Sequence, residues 1–131
     1  MPAVIVSPAR DLSTEAHVRA GAAIAGAVSG AGTRVALVAS CDHGHGHLPD
    51  GPYGFRPESA VFDELVCTLV RGDRLAAVAE IDPTLVSAAA ADSWWQMLML
   101  SGALDGGWRG EFLSYEHPTY VGLMCAAYAP A

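Results

Sequence analysis

The apolar positions along the chain change period several times, and each change predicts an element. Ala3–Ser7 is a short β-branched run ended by Pro8, the pattern of a buried strand. Ser13 or Thr14 then offers an N-cap with Glu15 in the first turn. Val18, Ala22, Ala25 and Val28 follow at helical spacing until Gly30–Gly32 closes the helix, whose glycine and alanine content suggests close packing against a sheet. Arg34–Ser40 is continuous and apolar between polar residues, which predicts a second strand. From Cys41 to Pro57 the pattern is lost. Gly44, Gly46, Pro49, Gly51, Pro52, Gly54 and Pro57 exclude regular structure there, and a loop this long in a compact domain is usually functional or disordered. Tyr53 and Phe55 favour an ordered loop.

Helical spacing returns over Glu58–Arg71, with Phe62, Leu65, Val66, Leu69 and Val70 on one face. Asp73 is placed to cap a short helix ending at Glu80, and Asp82-Pro83 is a cap followed by proline at the first helical position. Ser93–Leu104 predicts a further helix, stopped by Asp105-Gly106-Gly107. Gly110–Glu116 and Val121–Tyr128 predict two late strands around His117-Pro118. The order strand, helix, strand, helices, strand, strand indicates one α/β domain over residues 1–131, a small sheet flanked by helices.

Composition narrows the class. Of 131 residues, 52% are hydrophobic and 16% charged, which gives ample apolar surface for a core and argues against disorder. Little charge is left to cover a monomer, so the alanine-rich positions imply buried helices or a subunit interface. The formal charge of −7 and the lack of a basic stripe exclude nucleic acid as an expected partner. No run reaches the roughly 18–20 apolar residues of a membrane span, because Leu85–Leu104 is broken by Asp92, Ser93 and Gln96. Met1–Arg10 lacks the pattern of a signal peptide, so a cytoplasmic location is expected. Cys41, Cys67 and Cys125 are widely spaced without CxxC, so neither a disulfide framework nor a zinc ribbon is expected. Cys67 and Cys125 read as buried thiols.

Candidate chemistry gathers in two loops, each placed after a predicted strand. His43, His45 and His47 share the first and His117 lies in the second. Residues two apart in an extended segment point to the same side, so the three imidazoles could converge beside Asp42 and either shuttle protons or bind a metal. The alternative is a solvent-facing polar loop with incidental histidines. Glu116 ends an apolar strand beside Tyr115, where a carboxylate is expected only if exposed or paired. His17, mid-helix, reads as a surface residue.

Several of these stretches together resemble a known family. Ala39-Ser40-Cys41-Asp42-His43-Gly44-His45, then Gly51-Pro52-Tyr53-Gly54-Phe55-Arg56-Pro57-Glu58 and Phe62-Asp63-Glu64, are similar to the class III extradiol ring-cleavage dioxygenases. These are the LigB-like enzymes, whose wider superfamily includes Memo-like proteins. Ile81-Asp82-Pro83, the Met97–Gly102 helix and Ser114-Tyr115-Glu116-His117-Pro118-Thr119-Tyr120-Val121-Gly122 resemble the same family's C-terminal portion. The resemblance implies the C-terminal half of the LigB-like fold, a non-haem Fe(II) cofactor held by two histidines and a glutamate, and a catecholic substrate cleaved with O2. It implies that His45 is the catalytic acid/base and Glu116 the carboxylate metal ligand. Asp42, His47, Tyr53 and Tyr120 are the expected substrate-binding residues.

The two iron histidines of the family lie in its N-terminal half, and nothing before Asp42 resembles a ligand loop. Three explanations follow: a separate subunit completes the site, the chain is truncated, or it is a non-catalytic binding or interaction module that keeps the fold. In a fourth, His43 and His47 rebuild a local metal site with Glu116. A homo-oligomer or a subunit supplying the missing half is the expected partner. A hydrolase using Cys41 or a serine is a weaker reading, because no nucleophile turn or oxyanion loop is recognisable.

Overall fold

The computed structural model describes residues 2–131. Helix α1 spans Thr14–Ser29, and the Ser13 hydroxyl caps it by accepting the Ala16 N–H at 3.2 Å. Its partner is not a sheet, as its small residues suggested, but helix α4 (Trp94–Leu104). A Cβ on Gly21 would run into the Met99 carbonyl, and one on Gly102 into the Val18 carbonyl. The two glycines therefore let the helix backbones touch, which glycine permits against a helix as well as against a strand.

The core is built by helix α2 (Pro57–Arg71), whose proline occupies the first turn and lacks only an N–H that would be unbonded there. Phe62, Val66, Leu69 and Val70 are buried as the sequence predicts, with Leu65 at the edge. Leu75 and Val78 of a 3-10 helix (Leu75–Glu80), Val86 of helix α3 (Pro83–Ala88), and Trp94, Met97 and Leu98 of α4 close over them. The Trp94 indole N–H donates to the Val78 carbonyl at 2.8 Å, so the largest core side chain also leaves no donor unpaired. Asp82 caps α3 by accepting the Thr84 N–H at 2.8 Å. Asp73 does not cap the 3-10 helix. It takes a left-handed φ of 53°, and its carboxylate accepts the Gly110 N–H at 2.8 Å.

Strands β1 (Trp108–Glu116) and β2 (Leu123–Pro130) pair antiparallel, with an irregularity between Phe112 and Ser114. Phe112, Met124, Ala126 and Tyr128 pack on the core, whereas Leu113, Leu123 and Cys125 face outward and are exposed. Cys125 is thus not the buried thiol expected from its apolar strand, because it falls on the outer phase of the alternation. Cys67 is buried.

The fold is mixed α/β with a two-stranded sheet and several helices. The two strands predicted at Ala3–Ser7 and Arg34–Ser40 do not form. Both stretches run without a backbone hydrogen bond to any described residue, and Val4, Ile5 and Val38 are 89%, 91% and 81% exposed. An apolar run becomes a strand only when a neighbour supplies the opposite row of N–H and C=O groups. Among the described residues no segment does. No helix among the described residues is long and apolar enough to cross a membrane.

Candidate functional site

The loop Asp42–His47 is held on all sides by backbone and side-chain bonds. His43 and His47 donate their N–H groups to the carbonyls of Gly122 and Tyr120, at 3.0 and 3.1 Å. His45 donates in another direction, to Ala89 at 3.1 Å. The intervening glycines face α2, where Gly44 N–H donates to Asp63 at 2.7 Å and Gly46 N–H to the Ser59 hydroxyl at 2.9 Å. A Cβ at either glycine would collide with Ser59 or Arg56, so the alternation of glycine and histidine is what lets the loop lie flat against the helix.

This threading sends the three imidazoles to different partners, so they do not converge. His43 is buried at 1% exposure, its Nδ1 2.7 Å from the Ser93 hydroxyl, and its Nε2 has no partner among the described residues. Burial pushes its pKa below the usual histidine value, against the pull of Asp63 and Asp42. The folded state therefore keeps His43 neutral at pH values where the unfolded chain, with an ordinary value near 6.5, takes up a proton. Stability from this group is fully present above that value and is lost as the pH falls through it. Unfolding by denaturant should thus show a midpoint that drops on acidification from about pH 7.5 to about 5.5, by no more than about 1.4 kcal/mol per pH unit. The drop should be smaller in His43→Leu.

His47 turns to a second buried cluster. Its Nε2 lies 2.8 Å from Asp63, which is 1% exposed and also accepts the Tyr115 hydroxyl at 2.5 Å. Burial, and then that bond to Asp63, push the Tyr115 pKa far up, so the phenol stays protonated as the donor. His117 stacks on the His47 ring at 4.5 Å. Asp63 thereby ties α2, the histidine loop and β1 together, a role not assigned from the sequence. The available signal was a carboxylate inside the apolar stripe formed by Phe62, Val66 and Val70.

His45 has the arrangement of a proton acceptor. Its Nδ1 is 2.7 Å from the Ala90 carbonyl, which can only accept, so Nδ1 carries a hydrogen and Nε2 is the ring nitrogen left to exchange a proton. Tyr53 and Tyr120 stand beside it, with ring centres at 5.0 and 6.1 Å. His45 and Tyr53 open onto a pocket of about 360 Å3, whose other walls include Arg10, Val86, Asp92, Trp94 and Trp95. The structure thus brings together His45, Tyr53 and Tyr120 of the expected site, and separates His43 and His47 from it.

Asp42 and Glu116 are not among the residues lining this pocket. Glu116 pairs with Leu123 across the sheet, and Leu123 bridges to Asp42 on its other side. Residues directly opposite in antiparallel pairs share a face, so the two carboxylates flank Leu123 on the sheet's uncovered side. All three are exposed. Among the described residues no group of three or more His, Cys, Asp or Glu side chains is gathered closely enough to hold a metal. The local site of His43, His47 and Glu116 is therefore not formed, because His43 and His47 are fixed by Ser93 and Asp63. The donors among the described residues, as placed here, do not by themselves fit an iron centre. His17 is also not a surface residue: it is 3% exposed, with Nδ1 bonded to the Ser13 carbonyl at 2.9 Å. Cys41 is no ready nucleophile, since burial, reinforced by Asp42 and Asp92, pushes its thiol up to about 12.

A model of the family described as LigB, the catalytic LigB subunit of aromatic ring-opening dioxygenase, matches residues 2–126. Protein CA_C1420 of Clostridium acetobutylicum is 33% identical over 87 residues, which cover 66% of this chain and 19% of that protein. The matched stretch thus spans about a fifth of that relative's length.

Proposed function

The chain belongs to the LigB family, the catalytic subunit of aromatic ring-opening dioxygenase, and from that premise we propose that it supplies the acid/base part of an extradiol centre acting on catechols. The observation that carries this reading is His45, whose Nδ1 is turned to the Ala90 carbonyl at 2.7 Å and whose ring stands at the rim of an aromatic-walled pocket. In this role Nε2 takes the proton of a catechol hydroxyl, and the imidazolium so formed returns it to a later oxygen anion. The Ala90 carbonyl holds the ring orientation throughout and stabilises the Nδ1–H side of the cation. Tyr53 lines the pocket beside His45, and Tyr120 packs against both rings and holds them in place.

Fe(II) is the metal of this reading, and it supplies chelation of the diol and activation of O2 when bound. Glu116 is proposed as one of its donors. Its place on the uncovered face beside Asp42 favours a centre completed by a second polypeptide, or a further segment, bearing two histidines. The unpaired apolar stretches at Ala3–Ser7 and Arg34–Ser40 support the same view, since both lack the neighbouring strands their sequences call for.

Anaerobic Fe(II) titration with elemental analysis tests the assignment. The isolated chain should bind iron weakly, and the native assembly purified from its source should hold it tightly. Glu116→Gln should reduce the assembly's iron affinity by at least about tenfold. Unchanged iron content in that variant would remove Glu116 from the ligand set. An assembly that carries iron in neither form and opens no catechol ring would favour the second reading, a binding module that keeps the fold.

A further inference from the structure

The end of helix α3 presents three successive carbonyls to the histidine loop and its neighbours. The Ala90 N–H donates to Ser87 and the Ala91 N–H to Val86, both at 3.1 Å, which closes the helix in a Schellman turn. The left-handed position of that turn usually holds glycine, and here Ala90 takes it with a φ of 48°. A β-carbon is disfavoured in that region, and such strain persists only where surrounding bonds impose it. The Ala89 carbonyl accepts the His45 N–H at 3.1 Å and the Ser59 hydroxyl at 2.9 Å. The Ala90 carbonyl faces His45 Nδ1 at 2.7 Å. Consecutive residues of one turn thus grip His45 at its backbone and at its ring.

Arg56 fastens this turn to the rest of the site. Its guanidinium donates to the Ala88 carbonyl at 3.1 Å and to the Tyr53 carbonyl at 3.3 Å. Its backbone N–H donates to Gly46 at 2.8 Å, and its stem lies against the space a Cβ on Gly46 would fill. Arg56 therefore touches the residue after His45, the turn that grips the imidazole, and the backbone of the aromatic wall. It does so from behind, since it is not among the residues lining the pocket. No carboxylate of the described residues pairs with it, so its donors serve backbone carbonyls alone.

We propose that Arg56 is a positioning residue for His45: by clamping the Ala88–Ala90 turn to the Tyr53 and Gly46 backbones, it keeps the imidazole hydrogen on Nδ1 and leaves Nε2 as the exchanging nitrogen. The grip is a property of the chain itself, and the inference rests on the acid/base reading only for its consequence in turnover. Arginine suits the task because its donors are spread over a rigid planar fork, so one side chain satisfies carbonyls from two segments at once. A lysine ammonium is a point donor on a flexible stem and holds one of them less firmly.

Nuclear magnetic resonance of the chain carrying 15N-labelled histidine reads the position of the hydrogen directly, in alkaline buffer where imidazoles are neutral. The His45 signals are assigned by their loss in His45→Gln. Wild type should show His45 as the Nδ1–H form alone. Arg56→Met keeps the stem over Gly46 and removes the guanidinium, so it should fold and show a mixture of the two tautomers at His45. Arg56→Lys should keep most of the Nδ1–H form, and the His47 signals should stay unchanged in both variants. A role in stability alone would lower the unfolding midpoint of Arg56→Met and leave the His45 ring as in wild type, which would overturn the proposal. A tautomer mixture already present in wild type would overturn it too. In the native assembly, Arg56→Met should lower kcat for catechol about tenfold or more while changing KM less. If the tautomer shifts in Arg56→Met while the wild-type assembly opens no catechol ring, the positioning role stands and the acid/base reading fails.

Discussion

Replacement of His45 by glutamine is expected to lower catechol turnover by the native assembly by about a hundred- to ten-thousandfold. Glutamine keeps a polar side chain of similar reach that can still donate to the Ala90 carbonyl, and it has no nitrogen that takes up a proton near neutral pH. The cost to folding should be small, on the order of 1 kcal/mol, because the side chain is only half buried and makes one direct bond. Iron content should stay close to wild type. The decisive measurement is kcat against KM under saturating O2. A fall confined to KM, or turnover within about threefold of wild type, would show that His45 lines the pocket without moving a proton.

The second large effect is on stability. Asp63→Ala should destabilise the protein by about 3 kcal/mol or more, read from denaturant unfolding. Three donors lose their acceptor at once: the Gly44 N–H, the His47 imidazole and the Tyr115 hydroxyl. Asp63 is 1% exposed, so water cannot take the place of the carboxylate without opening the packing between α2 and β1. Asp63→Asn should cost less, since its oxygen can still accept, while its NH2 group opposes a donor wherever it points. Tyr115→Phe should cost least of the three, because it removes a donor rather than an acceptor. A change below about 1 kcal/mol for Asp63→Ala would mean that the cluster does not hold the loop to the helix.

Much of this architecture is legible in the sequence because its causes are local. Ser13 and Asp82-Pro83 begin helices where their side chains reach the first free N–H groups. The stripe Phe62, Val66, Leu69 and Val70 finds the core because helical periodicity fixes which residues share a face. Alternation along β2 is visible too, although its phase is set by the core and leaves Cys125 outside. What fails depends on neighbours. Val4–Val6 and Val35–Val38 have the composition of strands, yet a strand is a property of at least two segments. His17 looks like a polar residue on a helix surface, and its burial cannot be read from α1 alone.

The site divides along the same line. His45, Tyr53 and Tyr120 stand side by side, whereas the shared direction of His43, His45 and His47 assumed a free extended segment. The actual loop donates alternately to the Gly122 side and to Ala89, which overrides the pleat. Asp63 was visible as a charge in an apolar stripe, but its partners come from residues as far away as Tyr115. Arg10 carries no local signal at all. It reaches the pocket from ahead of α1 by its contacts with Asp92 and Trp95.

The bare edges at Ala3–Ser7 and Arg34–Ser40 also make the fate of a newly made chain a matter of competition between rates. If a second polypeptide covers those stretches, as proposed above, that step is bimolecular and slows with dilution, whereas packing of the helical core is unimolecular. At low concentration the chain would then wait with Val4, Ile5 and Val38 in water. As its concentration rises without a matching supply of strands to pair with, encounters between like edges grow with the square of that concentration, and aggregation gains on assembly.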